Sequence, residues 1–372
     1  MKKIICLVFT LMSMTDAVMG ADIKINESNF PDAKFREWLK SQEYGTDGVI
    51  SESEIAEIKE IGVYGEEISS LKGIELFTQL TELYCASNQL TALDVSKNTT
   101  LNTLACDYNQ LKSLDVSKNL ALKDLQCSDN QLDKLDVSKN AALMKLSCRN
   151  MQFSSLDISN NKLLTELDCG RNQLTTLDVS NNLVLLELDC ADNQLSMLDV
   201  SKNTLLTKLY CGNNQLTSLD VSKNLALTTL SCDQNQLQSL DVSRNNILKE
   251  LYCGNNQLST LDLSQNRGLT LLRCGYNQIS VLDVSKNIVL MILSCEDNQL
   301  TTLNVANNIV LMELDCSSNQ FSESEIGKLI DSLPVGKGVF RANNDFDLDN
   351  PSGVSADLKA KAEKKGWKES EW

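Results

Sequence analysis

Twelve cysteines recur at a spacing of 21 residues: Cys85, Cys106, Cys127, Cys148, Cys169, Cys190, Cys211, Cys232, Cys253, Cys274, Cys295 and Cys316. A fixed period of this length marks stacked repeat units, none of which can bury a hydrophobic face alone. The usual division of a chain into domains of roughly 150 residues therefore does not apply to these 372 residues. With only 3 Pro, the chain does not read as low-complexity or disordered. It contains no His, which removes Ser-His-Asp and Cys-His catalysis, His-ligated zinc and imidazole acid–base chemistry.

The charge balance is 34 Lys and Arg against 50 Asp and Glu, a net charge of -16. Such a chain repels phosphate backbones, and no run of basic residues interrupts the repeats, so nucleic acid is not an expected partner.

Residues 1–20 read as a secretory signal peptide. Lys2 and Lys3 form the positive start, Ile4 to Met12 the apolar run, and Val18 and Gly20 the small residues before cleavage at Ala21. An uncleaved anchor is the rival reading, but the run is shorter than the roughly 20 residues that span a bilayer. No later stretch is apolar enough for a transmembrane segment. The expectation is an exported protein, secreted or held at the cell surface.

One unit runs from Leu80 to Thr100 and the next begins at Leu101. The shared pattern is L-x-x-L-x-C-x-x-N-x-L-x-x-L-D-V-S-x-N-x-x. Leu83 and Cys85 alternate with Glu82, Tyr84 and Ala86. Period 2 describes a strand with one buried and one wet face. Parallel copies about 4.8 Å apart would bury a continuous core.

This pattern resembles the bacterial leucine-rich repeat, and the 21-residue form with Cys in the third apolar slot is similar to the internalin J type of surface protein. The resemblance covers roughly residues 58–321. It implies an α/β-type leucine-rich repeat solenoid: a curved parallel sheet on the concave face, short extended or turn-like convex segments, small helical caps at both ends, and inward cysteines stacked as a ladder.

Two ladders accompany the cysteines. Asn follows three residues after each Cys, from Asn88 to Asn319, except at Met151, where Asn150 comes one residue early. A stacked Asn can satisfy backbone groups where the strand turns away, so Met151 and Phe153 should weaken or bend the solenoid. Asp94, Asp115 and their equivalents to Asp283, then Asn304, form the second ladder. An Asx turn onto the backbone two residues on is the expected role; calcium between turns is the alternative. For the cysteines, neighbouring Cβ atoms about 4.8 Å apart compare with roughly 3.8 Å in a disulfide. Buried free thiols are therefore expected, with pairwise disulfides or a metal as alternatives.

The ends must cover the exposed core. Residues 21–79 are expected to form an N-terminal helical cap. Pro31 to Lys40 reads as a helix with Phe35, Trp38 and Leu39 on one face, and Ser51 and Glu54 as a capping box. Ile58, Ile61, Val63, Ile68 and Leu71 fill the apolar slots of an atypical repeat. The segment from Glu43 to Glu54 resembles a degenerate EF-hand loop, with Asp47 and Glu54 as candidate ligands of a weak calcium site. Residues 80–321 are the tandem repeats. Residues 322–372 read as an α/β cap, with a capping box at Ser322 and Glu325, a helix ending near Pro334, a strand at Val339 to Arg341, and a helix from Ser355 to Lys365. Trp367 is expected to pack on the last coil.

A partner-binding face would lie on the wet positions of the strands. Tyr84, Tyr108, Tyr210, Tyr252 and Tyr276 fall there, with Asp168, Asp189 and Arg273 in the Tyr84 column and a central acidic patch of Glu166, Glu187, Asp168, Asp189 and Asp192. Tyr is a rigid amphipathic anchor favoured at interfaces. The reading is a non-enzymatic, adhesin-like interaction module for a protein ligand, such as a host or neighbouring-cell surface protein, with no cofactor implied. A glycan-binding or calcium-stabilised surface protein is the alternative.

Overall fold

The computed structural model describes residues 22–342 and 354–369. Residues 1–20, read above as a signal peptide, lie outside them. Each repeat contributes one short strand, from Glu82–Tyr84 to Glu313–Asp315. These strands are parallel and pair in strict 21-residue register, so Leu83 lies beside Leu104 and Leu104 beside Leu125. The side-chain alternation buries the central Leu and leaves its neighbours partly wet. Cys follows each strand on the inner side, and all twelve ladder cysteines are fully buried free thiols. Burial pushes every one of these thiols up, which suits a small core hydrophobe rather than a nucleophile.

The return path is compact. Val95 accepts a hydrogen bond from Asn98 N–H, and the Asn98 carbonyl accepts one from Leu101 N–H, so two successive turns carry the chain across the convex side. The Asp ladder forms Asx turns: Asp94 Oδ1 accepts from Ser96 N–H at 2.9 Å and Asp115 Oδ1 from Ser117 N–H at 2.9 Å. These bonds hold the exposed carboxyls below the usual range.

Asn109 shows how the first Asn ladder joins turns. Its Nδ2 donates to the carbonyls of Cys85, Cys106 and Asp107, while its Oδ1 accepts from Leu90 N–H at 2.9 Å. A second Asn row, from Asn98 to Asn308, is wholly buried. Asn119 Nδ2, for example, donates to the Val95 and Asn98 carbonyls of the preceding turn. At the irregular repeat, Met151 and Phe153 are buried and Asn172 Oδ1 accepts from both their N–H groups, at 3.1 and 3.0 Å. The strands on either side, Lys145–Ser147 and Glu166–Asp168, keep their register.

At the N-terminus, helix α1 (Ala33–Ser41) buries Phe35 and Leu39. The Phe30 ring stands edge-on to Phe35 at 5.7 Å and also meets Phe77. Asp32 caps α1 through Phe35 N–H, and its second oxygen accepts from Ser69 and Ser70, stapling the helix to the first coil. Helix α2 (Glu52–Glu57) carries the Ser51–Glu54 capping box. Glu54 Oε2 is occupied there, and Asp47 Oδ1 accepts from Val49 N–H. Among the described residues, no group of three or more Cys, Asp or Glu side chains is placed to hold a metal ion.

At the other end, helix α3 (Glu323–Ser332) buries Ile326, Leu329 and Ile330. Ser322 Oγ caps it through Glu325 N–H, but the Glu325 carboxylate pairs with Lys328 instead of returning to Ser322. Strands Gly338–Arg341 and Trp367–Glu369 extend the repeat sheet in parallel, making fifteen strands in all with Glu60–Gly62 at the far edge. Helix α4 (Ala356–Glu363) joins these two strands. Its chain turns at Gly366 (φ 94), where a Cβ would strike the Gly336 carbonyl. Lys365 Nζ caps the end of α3 by donating to the carbonyls of Ile330, Asp331 and Leu333. Trp367 is fully buried, and its Nε1 donates to Pro334 O at 2.8 Å.

Candidate functional site: the open face of the sheet

The register sets wet side chains in rows. Asp168 lies beside Asp189, Asp189 beside Tyr210, and Tyr210 beside Ser231. The row continues through Tyr252, Arg273, Ser294 and Asp315. Tyr84 occupies the same row at the N-terminal end. Tyr210 and Tyr252 are two strands apart, with Ser231 between them, so their backbones stand about 10 Å from each other. Both are half-buried, and burial raises both phenols. Tyr84 is engaged locally: its Oη donates to Glu82, and this bond pushes the phenol up to about 12.

Tyr108 and Tyr276 are elsewhere. They occupy the second position after Cys, where every repeat has a left-handed residue; their φ values are 53° and 56°. They stand on the rim, 62% and 52% exposed, and not in the strand row. The sequence signal was the Asn and Asp content of that column (Asp129, Asn150, Asp192, Asn213, Asn255, Asp297), the residues that tolerate left-handed backbone best.

The acidic patch is also not bare. Arg149 Nη1 lies 2.9 Å from Asp189 and 3.5 Å from Asp168, and Nη2 lies 3.6 Å from Asp192. Lys145 pairs with Glu166 at 2.8 Å, Lys208 with Glu187 at 3.0 Å, and Arg171 with Asp192 at 3.6 Å. Burial nevertheless raises Asp189, against its bonds to Ala191 N–H and Arg149. Lys145 and the carboxylates of Asp124, Glu166, Asp168, Glu187 and Asp189 line one shallow depression. The face thus offers paired charges at its centre and unpaired aromatic surface at Tyr210 and Tyr252.

A parallel sheet built from identical in-register coils, with an inner leucine row and an asparagine ladder, defines a leucine-rich repeat protein. No family model matches the chain. It is 33% identical to the functional domain of internalin J from Listeria monocytogenes, described as including a cysteine ladder, with a TM-score of 0.72 over 86% of this chain and 81% of that one. The chain belongs to this internalin-type, cysteine-ladder family of leucine-rich repeat proteins. The curated internalin J of Listeria monocytogenes serotype 4b is 37% identical over 71 residues, which is 19% of this chain and 8% of that protein. Internalin F from the same species shares the fold at 22% identity, with a TM-score of 0.70 over 95% of this chain and 98% of that one. The fold is that of a protein-interaction module. Among the described residues, no helix is long and apolar enough to cross a membrane.

Proposed function

We propose that this chain is a non-enzymatic, exported adhesin-like protein that binds a protein partner on the open face of its sheet. The observation that carries this reading is the row Asp189, Tyr210, Ser231, Tyr252 and Arg273, fixed on adjacent strands and partly or fully exposed. Two low-entropy aromatic anchors between a carboxylate and a guanidinium suit a peptide surface carrying both charge signs. The similarity to internalin J supports the same reading, as does the positive start and apolar run of residues 2–12.

The test is binding of labelled protein to cultured host cells and to matrix proteins, before and after enzymatic removal of glycans. Saturable binding that survives deglycosylation supports a protein ligand. Binding abolished by deglycosylation would replace it with a glycan.

A further inference from the structure

In each coil the residue after the ladder Cys carries a backbone N–H that, among the described residues, donates to no backbone carbonyl. Where the residue before the Cys is Asp, that side chain accepts the bond. Gly170 N–H donates to Asp168 Oδ1 at 3.1 Å, Ala191 N–H to Asp189 Oδ1 at 2.9 Å and Ser317 N–H to Asp315 Oδ1 at 3.0 Å. The three Asp lie in the wet row of the sheet, so the N–H points toward that face. Ser128 and Arg149 use the preceding coil instead: Ser128 N–H donates to Asp107 Oδ1 at 2.8 Å and Arg149 N–H to Ser128 Oγ at 3.0 Å.

From Tyr210 to Arg273 no Asp precedes the Cys. The N–H groups of Gly212, Gly254 and Gly275 accordingly have no acceptor among the described residues. Two of these glycines are buried under a carboxylate of the next coil. A Cβ on Gly212 would lie 2.9 Å from Asp233 Oδ1, and one on Gly275 would strike Glu296 Oε1. Gly254 is only half-buried and has no side chain over it. A Cβ there would meet the Gly275 backbone alone, 3.0 Å from its carbonyl oxygen. Tyr252 precedes this bare position, and Arg273 stands beside Tyr252 on the adjacent strand. Arg273 is exposed and makes no ion pair among the described residues. Its charge opposes the burial that raises Tyr252 and Glu296.

We propose that Gly254 N–H, Arg273 and Tyr252 form a subsite for an Asp or Glu side chain of the protein partner, which rests on the reading of the sheet face given above. The two polar groups are donors only, so they select an acceptor, and the guanidinium selects a charged one. The chain itself places a carboxylate at the equivalent point of three coils, through Asp168, Asp189 and Asp315. A partner carbonyl would satisfy the N–H but leave Arg273 without a counter-charge. The nearby Glu296 is no bar. Arg149 holds Asp168 and Asp189 on adjacent strands of this same sheet, and Arg273 would lie likewise between Glu296 and the incoming carboxylate. Tyr252 supplies apolar surface for the stem of the bound side chain.

The test is an amide NMR titration of the full chain, labelled with ¹⁵N-glycine, against acetyl-Ala-Glu-Ala-amide and its Gln counterpart up to about 50 mM. The Gly254 amide should move saturably with the Glu peptide and much less with the Gln peptide. The Gly170 amide, already bonded to Asp168, should stay in place and reports that the fold is intact. The response should vanish in Arg273→Gln, which removes the cation, and in Tyr252→Asp, which caps Gly254 N–H as Asp168 caps Gly170. An unmoved Gly254 amide, an equal shift with the Gln peptide, or a full response in either variant overturns the proposal. On host cells, carbodiimide amidation of surface carboxylates should lower binding about tenfold, whereas sialidase should not. Loss of binding under sialidase overturns the protein source and assigns the carboxylate to a sugar. A chain that binds no cell yet keeps the Gly254 response upholds the subsite and overturns the adhesin reading, so the two fail separately.

Discussion

Arg149 Nη1 donates to Asp189 Oδ2 at 2.9 Å across 40 residues of sequence, that is, across two turns of the coil. The same guanidinium faces Asp168 on the adjacent strand and Asp192 in the turn that follows Asp189, so one cation stabilises three carboxylates of two successive repeats. It comes from the irregular repeat, two residues before Met151. The repeat that lacks its ladder Asn is thus tied to its neighbours from the sheet face.

Replacing this cation should be costly. Arg149→Met leaves Asp168, Asp189 and Asp192 facing one another, and we expect a loss of about 1–3 kcal/mol at pH 7. Burial already raises the Asp189 carboxyl, and protonating it relieves the repulsion, so the difference from wild type should shrink as pH falls toward 4. Urea midpoints of both proteins at pH 7 and pH 4 measure this. An equal difference at the two pH values contradicts the ion-pair account.

The Asn ladder should be more sensitive than the surface. Asn214→Ala removes the acceptor for Leu195 N–H and the donor to the Cys190, Cys211 and Gly212 carbonyls. A loss of about 2–4 kcal/mol is expected from these buried groups. Amide exchange at Leu195 should accelerate more than at any surface turn.

The thiols should be silent until the coil opens. With burial raising every ladder cysteine, a disulfide reagent should leave all twelve unmodified in the native protein and reach them in denaturant. Cys232→Ser places a hydroxyl in an apolar stack and should cost roughly 1–3 kcal/mol. Wild-type melting of that variant would contradict the inward ladder.

The N-terminal cap should loosen in acid. Burial raises the Asp32 carboxyl, but the bonds from Ser69 Oγ and from the N–H groups of Phe35, Ser69 and Ser70 outweigh it and hold the group below its ordinary value. A carboxyl depressed on folding contributes stability that is present above the unfolded pKa and lost as pH falls through the folded value. Asp32→Asn should therefore cost about 1–2 kcal/mol at pH 7, and the difference should shrink as wild type is protonated, on the acid side of an ordinary carboxyl. Hydrogen exchange at Ser69 and Ser70, followed from pH 7 to pH 3, reports it.

How much of this could be read in advance follows from where the information lies. The alternation of Leu83 and Cys85 with polar neighbours, repeated in fixed register, implies the sheet, and the Asp94-x-Ser96 spacing implies the Asx turn. Both are local patterns. Arg149 was missed because its partners lie one and two turns away, in the Cys-minus-one and Cys-plus-two columns, while it projects from the Cys-plus-one column. The buried Asn98 row was legible as a repeat letter, but its bonds to Val and Asn carbonyls exist only once coils stack. Tyr108 and Tyr276 share a residue type with Tyr210 yet differ from it by backbone φ, which composition does not show. The strands at Gly338–Arg341 and Trp367–Glu369 carry no repeat motif; they join the sheet because its last edge offers unpaired backbone groups.

The central claim is that Tyr210 and Tyr252 anchor a partner on the open sheet face. The most direct measurement is a binding titration of the wild-type protein and a Tyr210→Ala/Tyr252→Ala variant on the same host cells. The account predicts saturable binding by wild type, weakened at least about tenfold in the variant, with unchanged melting because both residues are partly solvent-exposed. Saturable binding of equal strength by both proteins would contradict it and move the site to the caps or the convex side.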